Sequence, residues 1–119
     1  MSTYRNASVN SGGEELLYAQ IPQLLALVTT GALALELWRA EQGAVELHGI
    51  YVRKIREYEG THGPINGALN PRNHEHIAII AYTMDERQAL ASAKRKVYSA
   101  RRRLRAACAK AAREGASTA

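Results

Sequence analysis

The sequence has no phenylalanine, one tryptophan, one cysteine and three prolines in 119 residues. The lone Cys108 excludes an internal disulfide framework and any zinc site built from several thiolates. Nine glycines with three prolines are too few for a collagenous or low-complexity chain. Neither a G-x-x-x-x-G-K-[ST] nor a G-x-G-x-x-G run occurs, so nothing supports a phosphate-cradling nucleotide site. No repeat at solenoid periods is found. Residues 1–13 lack the basic, apolar and small-residue order of a signal peptide and read as a flexible polar arm.

Apolar residues make up 46% of the chain, but 21 of them are alanine. The remaining 34 larger apolar residues suffice for one modest core and exclude two independent ones. Residues 16–35 carry no charge, close to the length of a bilayer-spanning helix. Gln20, Pro22, Gln23, Thr29, Thr30 and Gly31 interrupt the run, and Glu14, Glu15 and Glu36 flank it. Two mid-span glutamines are poorly tolerated in lipid, so a buried soluble helix is favoured over a membrane span.

Ser11 and Glu14 have the spacing of a capping box, which predicts a helix start near Gly13. Pro22 offers Ile21 as an alternative start. Leu17, Ile21, Leu24, Leu25 and Val28 share one broad helical face. Thr29, Thr30 and Gly31 weaken the helix, which resumes over residues 32–41, with Leu33, Leu37 and Trp38 on one face and Gly43 as its C-terminal stop. Residues 44–58 fit either a strand bulged at Gly49 or a helix whose stripe is Tyr51, Val52, Ile55 and Tyr58, with Arg53, Lys54, Arg56 and Glu57 facing water. The dense charge after Val52 favours the helix. Residues 60–71 read as a loop, long for so small a domain, and Asn70-Pro71 as a helix entry. Residues 73–82 form a short buried helix or a strand. Thr83 and Glu86 make a second capping box, after which nothing breaks the helix until Gly115. The tail, 115–119, reads as flexible.

Charge is distributed unevenly. Residues 84–114 hold ten bases and three acids, whereas the whole chain nets only +5. Seven of those ten bases are arginine, whose planar fork suits phosphate better than the ammonium of lysine does. Leu90, Ala93, Val97, Ala100, Leu104, Ala107 and Ala111 repeat in steps of three and four, a seam alternating large and small residues on which a neighbouring helix would dock. The candidate nucleic-acid-binding residues are therefore Arg87, Lys94, Arg95, Lys96, Tyr98, Arg101, Arg102, Arg103, Arg105 and Lys110, with Tyr98 available to stack on a base or sugar.

Catalytic and metal chemistry find little support. His74 and His76 would diverge by about 200° on a helix, and only on a strand would they share a face with His62 near them. No metal or cofactor is expected. Glu36, Glu41 and Glu46 are five apart and do not pair as an acid/base dyad. Cys108 lies among alanines near Arg105 with no base or orienting group in view, so it reads as a seam-edge residue.

The expected fold is all-α: a small single-domain helical bundle of three to five helices over residues 14–114, with a long basic C-terminal helix at 84–114. Trp38 and the leucines of residues 16–37 are expected to pack on the seam of that helix. The expected function is a small, non-enzymatic, cytoplasmic regulator binding DNA or RNA through its Arg-rich helix. The alternatives are an inhibitor or adaptor of a nucleoprotein machine, meeting an acidic protein surface, and a small membrane protein spanning through residues 16–35. A homodimer through Leu90, Val97 and Leu104 is a further expectation.

Overall fold

The structure, a computed structural model, describes the backbone of residues 2–65 and 67–118 and the side chains of residues 18, 20–65 and 67–115. It is all-helical, with no strand among the described residues. Helix α1 spans Ser2–His62, a 3₁₀ turn spans His74–His76, α2 spans Ile77–Tyr82 and α3 spans Met84–Thr118. The 35-residue basic helix at the C-terminal end is thus shorter than α1, whose 61 residues make the N-terminal helix the longest element. The Ser11 and Glu14 side chains lie outside the described residues.

α1 overrides three local stop signals. It passes Pro22, the Thr29-Thr30-Gly31 step and Gly43, where a C-terminal stop was expected. A helical glycine costs about 1 kcal/mol, which tertiary packing exceeds. Thr30 donates its hydroxyl to the Ala26 carbonyl at 2.7 Å, one turn back on its own helix. The ambiguous stretch 44–58 is helix throughout, and Tyr51, Val52, Ile55 and Tyr58 are all half-buried.

The face of α1 that turns inward is not the leucine-rich one. Ile21, Leu24, Leu25, Val28 and Trp38 are exposed. The shielded stripe is Gln23, Ala26, Thr30, Leu33, Leu37, Ala40, Ala44, Leu47, Tyr51, Lys54 and Tyr58. Those positions step strictly by three and four for ten successive intervals, the repeat that keeps one face turned toward a partner helix. The local leucine cluster ends at Val28 and cannot supply such a stripe. On α3 the expected seam is observed: Leu90, Ala93, Val97 and Ala100 are buried, and Leu104, Ala107 and Ala111 are half-buried.

The chain divides into two compact units, Met1–Glu36 with Arg101–Ala119, and Leu37–Ala100. In the first, Arg103 meets Glu36 at 2.7 Å, and a Cβ at Gly115 would sit 3.3 Å from Gln23 Nε2. The two helical segments of this unit are therefore antiparallel. In the second, Ile79 and Thr83 are fully buried.

The second unit turns the chain around. α1 ends at Gly63, whose φ of 90° lets its N–H reach the Glu59 carbonyl at 2.8 Å, an αL cap that a side chain would strain. The expected helix entry at Asn70-Pro71 is instead a tight turn: Asn70 Oδ1 accepts the Arg72 N–H at 3.0 Å. Capping passes three residues on to Asn73, whose side chain accepts the Glu75 N–H at 2.9 Å. The buried Thr83 does not form the capping box either, because its hydroxyl donates back to the Ile79 carbonyl at 2.8 Å.

Candidate functional site

α3 places its bases by simple periodicity. At about 100° per residue, Arg102 and Arg105 fall on the side away from Leu104, Ala107 and Ala111, while Arg103 and Lys110 fall on its edges. Exposure follows this geometry. In the first unit Arg101, Arg102, Arg103, Arg105 and Lys110 are all exposed. Arg103, at the edge, donates to Glu36 Oε1 across to α1. Lys110, also at an edge, lines a groove with Pro22, Leu25, Ala26, Thr29, Ala107 and Glu114. In the second unit Lys94, Arg95 and Lys96 are exposed, and Tyr98 keeps 63% of its surface in solvent. Arg87 stands apart: it is half-buried and lines a shallow groove with Ile80, Met84, Gln88 and Ala91. The structure thus brings Arg101, Arg102, Arg103 and Arg105 together on one and a half turns of helix. It sets Lys94, Arg95 and Lys96 on another single turn and leaves Arg87 out of both.

The histidine region of the second unit is occupied by structure. His76 is buried, and its Nδ1 accepts the Asn70 N–H at 3.0 Å, which holds the loop against the 3₁₀ turn. His62 stacks on Tyr58 with ring centroids 4.1 Å apart, and its Nδ1 lies 3.2 Å from the Tyr58 carbonyl. Among the described residues no three His, Cys, Asp or Glu side chains converge as metal ligands would. Lys54 lies 4.5 Å from the centre of the Tyr82 ring. Tyr82 is the main cause holding the Lys54 ammonium above its ordinary pKa of 10.5; desolvation opposes it, and Glu57 and Glu86 reinforce it. Cys108 is exposed.

The homodimer seam suggested by sequence is filled within the chain, since Leu90 and Val97 are buried and Leu104 is half-buried. What sequence reasoning missed is the reverse side of α1. Tyr18, Leu25, Val28 and Val45 each leave more than half of their surface in solvent. The signal was there to be found, because following the three-four step past Thr30 assigns the inward stripe to Ala26 and Leu33 and leaves the leucines outside. Within Gln20–His62 this helix has a stretch long and apolar enough to cross a membrane. Comparison with protein families, with known proteins and with solved structures finds no match to this chain, so its functional reading rests on its own residues.

Proposed function

We propose that this protein is a small, non-enzymatic, cytoplasmic nucleic-acid-binding regulator, of helical-bundle type, that grips phosphate backbone through the Arg-rich outer face of α3. The observation that carries the reading is the separation of roles on one helix. The apolar seam from Leu90 to Ala111 turns inward, while Arg101, Arg102, Arg103 and Arg105 project to solvent. A helix with ten bases and three acids over residues 84–114 repels itself, and counterions or a polyanion relieve that repulsion. Arginine binds phosphate oxygens with two parallel N–H donors, and the exposed Tyr98 offers a stacking plane. Contacts of this kind position a protein on the backbone and carry no sequence information themselves.

The alternative of a span through residues 16–35 has the apolar stretch of α1 in its favour. Against it stands the register of the first unit. With Glu36 beside Arg103 and Gln23 beside Gly115, the intervening Arg105, Lys110 and Arg113 run alongside that stretch. Each base at a bilayer centre costs about 2.5–3.5 kcal/mol. An adaptor that meets an acidic protein surface would use the same cations but would not bind random nucleic acid.

Salt-titrated binding of the purified protein to random DNA and RNA tests the proposal. Six phosphate contacts on a duplex give a slope of log K against log salt of about −5. A flat or absent signal, with salt-tolerant binding to a protein partner, would overturn it in favour of the adaptor.

A further inference from the structure

We infer that His76 is an acid-released latch: its neutral ring holds residues 67–72 against the 3₁₀ turn, and its charged ring lets them go. The direction of one hydrogen bond fixes this. A backbone N–H only donates, so the Asn70 N–H, 3.0 Å from His76 Nδ1, requires a lone pair on that nitrogen. The proton of the neutral ring therefore sits on Nε2. A second proton enters only at Nδ1, where it faces the Asn70 N–H donor to donor. The bond is then lost, and a charge is placed on a side chain that keeps 5% of its surface in water.

His62 behaves in the opposite way. Its Nδ1 lies 3.2 Å from the Tyr58 carbonyl, which only accepts, so that nitrogen carries a proton in either charge state. Charging His62 keeps its bond, whereas charging His76 breaks one. The other titratable groups nearby do not alter this. Tyr58 and His62 from α1 and Glu75 from the turn line one pocket with His76. Glu59, also on α1, accepts the Ile65 N–H at 3.3 Å. His74 on the turn and Arg72 in the loop are exposed, and α2 brings no charge, only the Tyr82 ring beside Tyr58. None of them restores the lone pair that the Asn70 N–H needs.

The extent of release follows from the remaining bonds. The Asn70 carbonyl accepts the Asn73 N–H at 3.0 Å, and its Oδ1 accepts the Arg72 N–H at 3.0 Å. Both lie within residues 70–73. Asn73 stays with the turn as its cap, through its bond to the Glu75 N–H. Among the described residues, the bond to His76 is then the one that ties residues 67–72 to the turn from outside that local loop. Histidine is the side chain that ordinarily changes charge between about pH 5 and 8. The inference uses no α3 cation and goes beyond the polyanion reading.

Amide hydrogen exchange of the full chain, followed by NMR from about pH 8 to 5 and corrected for the intrinsic rate, tests it. The Asn70 amide is expected to lose about tenfold of its protection as the nitrogen shifts of the His76 ring report its charging. The Thr83 amide, bonded to the Ile79 carbonyl, is expected to stay protected. His76→Gln keeps a side-chain acceptor that cannot be charged, and there the loss should be under about threefold. Protection lost equally in that variant, lost together with that of Thr83, or kept while the ring is charged overturns the inference. So does a ring still neutral at the acid end, or an Asn70 amide unprotected at the alkaline end. Should His76→Gln lose its helical circular dichroism, the unmodified chain decides. A neutral ring protonated at Nδ1, or an Asn70 loss that does not follow the charging of the ring, overturns the latch.

Discussion

The two compact units solve the same packing problem with different success. Leu37–Ala100 surrounds Ile79 and Thr83 completely and buries Leu90, Ala93, Val97 and Ala100 along α3. It does so by adding α2 and the 3₁₀ turn, which give the α1 and α3 segments something to close against. The other unit has only antiparallel segments of α1 and α3, and among its described residues Ala26 alone is buried. Two helices side by side shield only the strip between them. The first unit therefore exposes most of what it has: cations on one helix and leucines on the other. Burial, more than composition, separates the two units.

The contrast can be broken most severely by charge. Replacing Arg101, Arg102, Arg103 and Arg105 together by glutamate should lower affinity for random nucleic acid by about a thousandfold or more at moderate salt, read by fluorescence anisotropy, with helicity unchanged. Nucleic-acid affinity retained in that variant would end the proposal. The milder Arg102→Gln with Arg105→Gln should make the salt slope less steep by about 2. Lys94, Arg95 and Lys96 replaced by glutamine in the second unit would show whether its cations share the load.

Stability should divide the other way. Ile79→Ala, at a fully buried position, should cost about 3 kcal/mol in urea unfolding. Leu27→Ala in the first unit, already half in solvent, should cost under about 1 kcal/mol. Equal costs would mean that the two units are equally well packed. A smaller effect is expected from the exposed Arg103–Glu36 pair: Glu36→Gln should cost about 0.5 kcal/mol, an effect that 1 M salt removes.

The smallest effect concerns Lys54. Its ammonium is held above 10.5 in the folded chain, chiefly by Tyr82, so the protonated form is favoured by folding. That contribution is fully present below pH 10.5 and is lost as pH rises through the folded-state value. Lys54→Met should remove that small contribution at neutral pH and make the alkaline limb of the unfolding midpoint less steep, so that the variant and the wild type converge at high pH.

Sequence periodicity disclosed the seam of α3 because seven of its positions alternate by three and four without interruption. The same rule would have found the inward stripe of α1, but there the eye follows Leu24, Leu25 and Val28 instead of Ala26, Thr30 and Leu33. Side-chain size is a poor guide where helices approach through alanine and threonine. The passage through Gly43 was hidden for another reason, since glycine weakens a helix locally and only partners distant in sequence outweigh it. Thr83 and Glu86 show a third limit. One spacing describes both a capping box and a hydroxyl bonded back to its own helix, and only the Ile79 carbonyl at 2.8 Å distinguishes them. The cations of the candidate site were legible from the charge map. The departure of Arg87 from them was not, because its partial burial depends on how Ile80 and Met84 sit beside it.

Cys108 is the protein's one thiol, and it stands in solvent on the helix that carries the arginines. A single maleimide dye would therefore attach at one known place, a turn from Arg105, without any substitution. Fluorescence from that label offers a direct optical readout of whatever settles on the basic surface.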